Sequence, residues 1–451
     1  MPENGYTRGW RIYMPEHKNI RERTRRTAWF QDARFGMFIH WGLYAIPARG
    51  EWVRSTERIR HEDYLTYAGE FSAAEYDPRA WAHLAKKAGM KYAVLTAKHH
   101  DGFCLWDTAF TDFKSTNTQA GRDLVREYLE AFRAEGIKVG LYFSIIDWRH
   151  PDFPHAGDRQ HPLRDDPNEK NDGRDFNRYL DFMHGQIREL LTNYGRLDIM
   201  WFDFSYGEMK GPKWKAQELI EMVRSLQPWI ITDNRLEGSG EDSGTILTAN
   251  PSDYAGDFAC PEQMIPPGGI KNELGQPVPW EACITLNNHW GYCAADTHWK
   301  SADMVIRMLV DCVSKGGNLL LNVGPDAKGR IPRGSVAILE EVGRWMADNG
   351  ESIYGCGASD YGKPEWGRFT QKGKKLYAHV FEAQAGGVCL PGMAGKVLAL
   401  RLLADGSEIR AAQYWNLSEY PEHTFFHLNP QSFDSYPLPD PRDTVVEVRL
   451  K

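Results

Sequence analysis

Leu197-Asp198-Ile199-Met200-Trp201-Phe202-Asp203 is a run of bulky apolar residues that stops on a carboxylate. Packing gives a buried strand no reason to end on an acid unless the acid faces a cavity. In parallel α/β architectures the carboxyl ends of strands are where chemistry sits. Asp203 is therefore a candidate catalytic group. Short apolar runs of the same kind recur at 35–40, 92–97, 139–144, 230–232 and 319–323.

Helical patterns lie between several of these runs. Leu124, Tyr128 and Phe132 are spaced by four and close at Gly136. Ile187, Leu190, Leu191 and Tyr194 close at Gly195, and Leu219, Ile220, Val223 and Leu226 precede Pro228. Leu339, Val342 and Met346 lie between Pro332 and Gly350, the expected placing of Pro at a helix start and Gly past its end. Strands alternating with helices predict a parallel sheet with helical cover. No GxGxxG or Walker A stretch follows the early strands, and polar residues decorate many strand ends. This favours a (β/α)8-like, TIM-type barrel, in which loops at one face share the site. After Tyr354-Gly355, period-2 segments at 376–381, 396–403 and 445–450 are separated by Gly-, Pro- and Asp-rich turns. They predict a small C-terminal antiparallel β-sandwich. The expected domains are a catalytic barrel over 1–355 and a sandwich over 356–451. The His-, Pro- and Asp-rich stretch 149–174 reads as a long loop that walls the site.

Composition narrows the function. A net charge of -7 without a Lys/Arg block argues against nucleic-acid and anionic-membrane partners. The basic run from Arg21 to Arg26 reads as a solvated helix face. The 7 Cys lack CxxC spacing, which argues against a disulfide framework and a structural zinc site and suggests buried small side chains. No apolar run reaches the roughly 18 residues of a membrane span. The polar opening of the chain, up to Lys18, shows no leader, so the expected location is the cytoplasm, or outside the cell if a leader was removed. Homo-oligomerisation is left open.

Many aromatics stand beside polar groups: Glu51-Trp52, Leu105-Trp106-Asp107, Asp147-Trp148, Trp280-Glu281 and His289-Trp290-Gly291-Tyr292. Such pairs suit sugars, whose C–H faces stack on rings while their hydroxyls take hydrogen bonds. His40-Trp41, His99-His100 and Asp203 end strands. Asp233-Asn234-Arg235, Pro261-Glu262 and Trp280-Glu281 fall on loops beyond the fifth strand. HExxH and HxH are absent, so a metal-dependent hydrolase built on His99, His100 and Asp203 is the weaker reading. One carboxylate on a strand end and a second on a loop are what glycoside hydrolysis needs.

The ordered set Phe35-Gly36-Met37-Phe38-Ile39-His40-Trp41-Gly42, Glu51-Trp52, Lys98-His99-His100-Asp101-Gly102-Phe103, Trp201-Phe202-Asp203, Pro261-Glu262, Trp280-Glu281, Trp290-Gly291-Tyr292 and Gly316-Gly317-Asn318-Leu319-Leu320-Leu321-Asn322-Val323-Gly324-Pro325 resembles the glycoside hydrolase family 29 α-L-fucosidases over roughly residues 27–355. The resemblance implies a retaining exo-hydrolase of fucosylated glycans, with an irregular barrel, a β-sandwich, and no metal or organic cofactor. Asp203 matches the family nucleophile. His40, Glu51, His99, His100, Trp201 and Arg235 match fucose contacts, with Trp52 beside Glu51. Tyr142 or its neighbour Phe143 matches a tyrosine contact, and Trp290 an aromatic near the fucose methyl group. Glu262 is the expected acid/base, with Glu281 as the alternative. Apolar discrimination is worth only about 1–3 kcal/mol per methylene-sized change, so α-L-galactosides are alternative substrates. A barrel that binds fucose without catalysis is the remaining alternative.

Overall fold

The computed structural model describes residues 17–155, 158–238, 242–384, 386–412, 417–428 and 438–451. Most of the polar opening read for a leader lies outside these residues. Seven parallel strands form the main sheet: β1 (Phe35–Ile39), β2 (Tyr92–Lys98), β3 (Lys138–Ser144), β4 (Ile199–Asp203), β5 (Ile231–Thr232), β6 (Glu281–Thr285) and β7 (Asn318–Val323). Their order is β5-β4-β3-β2-β1-β7-β6. The six apolar runs read from the sequence are six of these strands. The seventh, β6, is a correction: the sequence puts Trp280-Glu281 on a loop, yet Glu281 opens a strand paired along its length with β7.

Pairing register assigns every side chain to a face. On β3 and β4, Tyr142 lies beside Trp201 and Ser144 beside Asp203. Alternation then sends Tyr142, Trp201 and Asp203 to one side and Phe143, Met200 and Phe202 to the other. The first side is a buried cluster that includes Phe38, Val94, Tyr142, Ile199, Trp201, Cys283 and Leu320. Phe30, from the helix Lys18–Ala33, packs into the same cluster against Tyr92 and Phe258. The second side is the larger core, where Phe143, Met200 and Phe202 meet Leu190, Val223 and Leu309 of the covering helices. Asp77, Asp123, Asp175 and Ser301 each cap a covering helix, their side-chain oxygens accepting first-turn N–H groups.

The edges β5 and β6 are not directly paired. Between them runs the segment 257–262, held by single parallel bridges from Phe258 to Asp233, Ala259 to Trp280 and Glu262 to Cys283. Gly256 admits the chain here: its φ is +84°, and a Cβ would stand 2.1 Å from the Asp233 carbonyl oxygen. The buried Asp257 carboxylate then accepts from Thr232 N at 2.9 Å and from Arg26 Nη2 at 2.8 Å. The basic run from Arg21 to Arg26 is therefore more than a solvated face, because Arg23 is buried and Arg26 ties the helix to this segment.

Eight further strands follow among the described residues: β8 (Gly357–Ala358), β9 (Gly367–Lys372), β10 (Lys375–Val380), β11 (Val388–Leu390), β12 (Val397–Leu402), β13 (Glu408–Ile409), β14 (Thr424–Phe426) and β15 (Thr444–Leu450). They form antiparallel sheets ordered β13-β12-β15-β10-β9-β8 and β11-β14. Tyr377 and Val445 of this region belong to the main core.

Candidate active site

Asp203 ends β4 at the carboxyl side of the sheet and is 8% exposed. Its Oδ1 accepts from Arg235 Nη1 at 2.8 Å and its Oδ2 from the Tyr142 hydroxyl at 2.7 Å. Arg235 reaches on to Glu262, donating from Nη2 to Oε2 at 2.8 Å. One planar guanidinium thus stands between two carboxylates, with a separate N–H for each. Its plane lies over the Trp201 ring, 4.7 Å from the centroid, and its Nε donates to Cys260 Sγ at 3.1 Å. Burial works against the charge of Arg235, but nearby Cys260, Asp203 and Glu262 hold its pKa above the ordinary value.

Two histidines complete the polar wall, and their tautomers follow from their neighbours. The Ser144 hydroxyl donates to the Ile146 carbonyl at 2.8 Å, so its oxygen accepts from His100 Nδ1 at 2.7 Å. Nε2 of His100 is then a bare acceptor, 3.9 Å from Asp203 Oδ2. Asn322 Nδ2 donates to the Trp290 carbonyl at 2.7 Å, which leaves its Oδ1 to accept from His40 Nδ1 at 2.7 Å. The His40 Nε2 is likewise an acceptor. Burial pushes the pKa of both imidazoles down to about 3, so both are neutral at ordinary pH. His99 is buried with its pKa well below the usual value for the same reason, and its Nδ1 has no hydrogen-bond partner.

The aromatic wall is built from the same strand ends. Trp52 packs on His100 with centroids 5.1 Å apart, Trp290 on His40 at 5.0 Å, and Tyr142 stacks with Trp201 at 5.6 Å. One cavity collects His40, Trp52, His99, His100, Tyr142, Trp201, Asp203, Arg235, Glu262 and Trp290. Phe38, Phe204 and Cys283 line it as well and were not foreseen. Phe38 and Cys283 could have been found by counting alternate positions from His40 and Glu281. Phe204 holds a positive φ of 91° directly after Asp203, which no sequence pattern announces. Tyr142 faces the cavity and Phe143 the outer core, as alternation along the strand requires.

Two candidates stand elsewhere. Glu51 is buried behind the wall, where its Oε2 accepts from Gly291 N at 2.8 Å beside Trp290. Glu281 is fully buried low in the sheet interior, accepting from the Tyr92 hydroxyl at 2.7 Å and from Trp201 Nε1 at 2.9 Å. Burial raises its pKa to about 7. Among the described residues no three His, Cys, Asp or Glu side chains gather as a metal site.

The arrangement is a pocket with hydrogen-bond acceptors, aromatic faces, and two carboxylates joined through one arginine. Comparison with known proteins gives one consistent picture. A family model described as Alpha-L-fucosidase matches residues 6–351. Tissue alpha-L-fucosidase of Homo sapiens is 30% identical over 404 residues, 82% of this chain and 78% of that protein. The solved structure of alpha-L-fucosidase isoenzyme 1 from Paenibacillus thiaminolyticus is 60% identical, with a TM-score of 0.91 over 95% of this chain and 100% of that one. A Bacteroides thetaiotaomicron alpha-L-fucosidase, trapped as a covalent intermediate with 2-fluoro-fucosyl fluoride, is 27% identical, with a TM-score of 0.79 over 95% and 96% of the two chains.

Proposed function

The chain belongs to the α-L-fucosidase family, and from that premise we propose that Asp203 and Glu262 carry its retaining hydrolysis of α-L-fucosides. Asp203 attacks the anomeric carbon and the glycosidic bond breaks, leaving fucose covalently on the enzyme. Glu262 gives its proton to the departing oxygen. It then takes a proton from the water that displaces Asp203, and the sugar leaves with its original configuration.

The observation that carries this reading is the Arg235 fork, which places two carboxylates on one cavity at the distance of a single guanidinium. Tyr142 and Arg235 each donate to Asp203, positioning it for attack. Glu262 accepts from Arg235 Nη2, and it acts as the base in the second step. For the first step its carboxyl has to swing off Nη2 as the aglycone enters. Its side chain is 40% exposed, which leaves room for that swing. His40 and His100 offer bare Nε2 atoms to sugar hydroxyls, and Trp290 and Phe38 an apolar face to the 6-deoxy carbon.

The segment 257–262 supports closure of the sheet as an irregular barrel, with this segment as an eighth stave between β5 and β6. Alternation along it sends Phe258, Cys260 and Glu262 inward. The two antiparallel sheets fit a C-terminal sandwich beginning near residue 356. Cytoplasmic location stays an expectation from the sequence.

Paired variants test the assignment. Asp203→Gly should lose turnover of an aryl α-L-fucoside by on the order of 10^4-fold and regain part of it with azide, releasing fucosyl azide of inverted configuration. Glu262→Ala should cost about 10^2–10^4-fold on a poor leaving group and far less on a dinitrophenyl leaving group. Glu281→Gln should spare both. Wild-type rates in Asp203→Gly would sink the nucleophile, and a leaving-group pattern following Glu281 instead of Glu262 would sink the acid/base.

A further inference from the structure

Behind Trp148, on the far side from the catalytic cavity, lies an open cleft of about 590 Å³. Trp148 separates the two spaces, packing on Trp52 at 5.6 Å and on His100 at 5.4 Å. Five arginines line the cleft, and three are matched. Arg178 pairs with Asp152 at 2.7 Å, Arg60 with Asp166 at 2.6 Å, and Arg174 with Glu169 at 3.4 Å.

Arg54 and Arg149 are different. Arg54 is 1% exposed and stands 5.0 Å over the Tyr64 ring; among the described residues its Nη1 reaches the Asp101 carbonyl, at 3.3 Å, and its Nε has no partner. Among the described residues Arg149 Nη1 reaches the Thr111 hydroxyl, at 3.1 Å, its guanidinium stands 4.9 Å over the Phe113 ring, and its Nε is also unpartnered. His61, which opens the helix His61–Glu70 on the same wall, has an unpartnered Nδ1. Asp101 and Asp147 lie close to Arg54 and favour its charge, but their oxygens take their hydrogen bonds from other groups. Asp101 accepts from the Tyr64 hydroxyl and Phe103 N, and Asp147 from Lys98 Nζ and the amides of Arg149 and His150. Glu62 and Asp172 also line the cleft and oppose its charge, beside the paired Asp152 and Glu169. Two guanidinium groups and an imidazole thus line one cleft, each keeping a buried nitrogen without a hydrogen-bond partner. A buried cation left without its hydrogen bonds is costly, and the guanidinium fork matches tetrahedral oxyanions.

We propose that Arg54, His61 and Arg149 form a second binding site, for a phosphate- or sulfate-type oxyanion, free or carried as an ester on a sugar. Its place against Trp148 puts a bound anion one aromatic layer from the catalytic pocket. This site stands apart from the assignment of Asp203 and Glu262.

Calorimetric titration of the full chain at constant ionic strength, balanced with sodium chloride, tests it. The probes are inorganic phosphate, inorganic sulfate and N-acetylglucosamine 6-sulfate, with N-acetylglucosamine as the uncharged control. Saturable binding of at least one anionic probe is expected, with its Kd raised at least about tenfold in Arg149→Gln and in His61→Leu. Both variants should keep wild-type turnover of an aryl fucoside, which verifies their fold without touching the buried Arg54. Binding of the inorganic ions alone assigns a free anion, and tighter binding of the sugar sulfate assigns an ester. Absence of saturable binding, an unchanged Kd in both variants, or equal competition by chloride overturns the proposal.

Discussion

Ser144→Ala leaves His100 Nδ1 without its acceptor, and the ring is then free to carry its proton on Nε2, facing the sugar with the wrong polarity. One misdirected hydrogen bond in a dry pocket should raise KM on an aryl fucoside about tenfold while kcat stays within about threefold. The pH profile should keep its shape, because burial holds His40 and His100 at about 3 and neither titrates between pH 5 and 8. A new inflection near 6.5 in steady-state kinetics would show that these rings carry charge in the working enzyme. Residues of this kind were the hardest to read from the sequence. His40, His100 and Asp203 stand out because a polar group ending an apolar run is conspicuous. Ser144 ends such a run and Asn322 stands one residue before the end of another, yet their work is to orient another side chain, and only the register reveals which one.

At the scale of elements, β6 and the segment 257–262 escaped the sequence pattern for one reason. The inward face of β6 is Glu281, Cys283 and Thr285, and that of the segment is Phe258, Cys260 and Glu262, so neither presents a continuous apolar run. Glu281 is the clearest case, a carboxyl at the start of a strand with no exposure to water. Its folded pKa of about 7 lies above the ordinary 4.5, so its contribution to stability is fully present below pH 4.5 and is lost as pH rises through 7. The span corresponds to on the order of 3 kcal/mol. Glu281→Gln cannot ionise. Its stability relative to the parent should therefore improve by roughly that amount between pH 4.5 and 8, read from urea midpoints at each pH. A constant difference across the range would mean that the carboxyl is hydrated in solution. The other strands were legible because their outward faces are continuous with a core of Leu, Val and Phe.

The whole molecule is joined by a buried polar chain. Asp443 Oδ2 lies 2.7 Å from His379 Nδ1, His379 Nε2 meets the Thr370 hydroxyl at 3.0 Å, and Thr370 donates to the Ser352 carbonyl at 2.7 Å. Arg307 adds bonds to the carbonyls of Phe381, Pro441 and Arg442. Removing residues 356–451 should therefore yield insoluble or unfolded protein instead of a smaller active enzyme, and the full chain should unfold in one calorimetric transition. Two well-separated transitions would refute this. The period-2 pattern in the sequence announced the strands of this region, but composition carries no record of which core they complete. A further consequence concerns wear. Asp203 rides on a strand laddered to its neighbour β3 along its whole length, whereas Glu262 rides on a segment held by single bridges. Heat opens thin ladders first. Below the global midpoint the enzyme should lose its proton carrier before its nucleophile, so that an activated fucoside still loads Asp203 and water then fails to clear it. Intact-mass spectrometry during turnover of a dinitrophenyl fucoside would show the fucosylated fraction climbing with temperature: the protein ages by jamming before it melts.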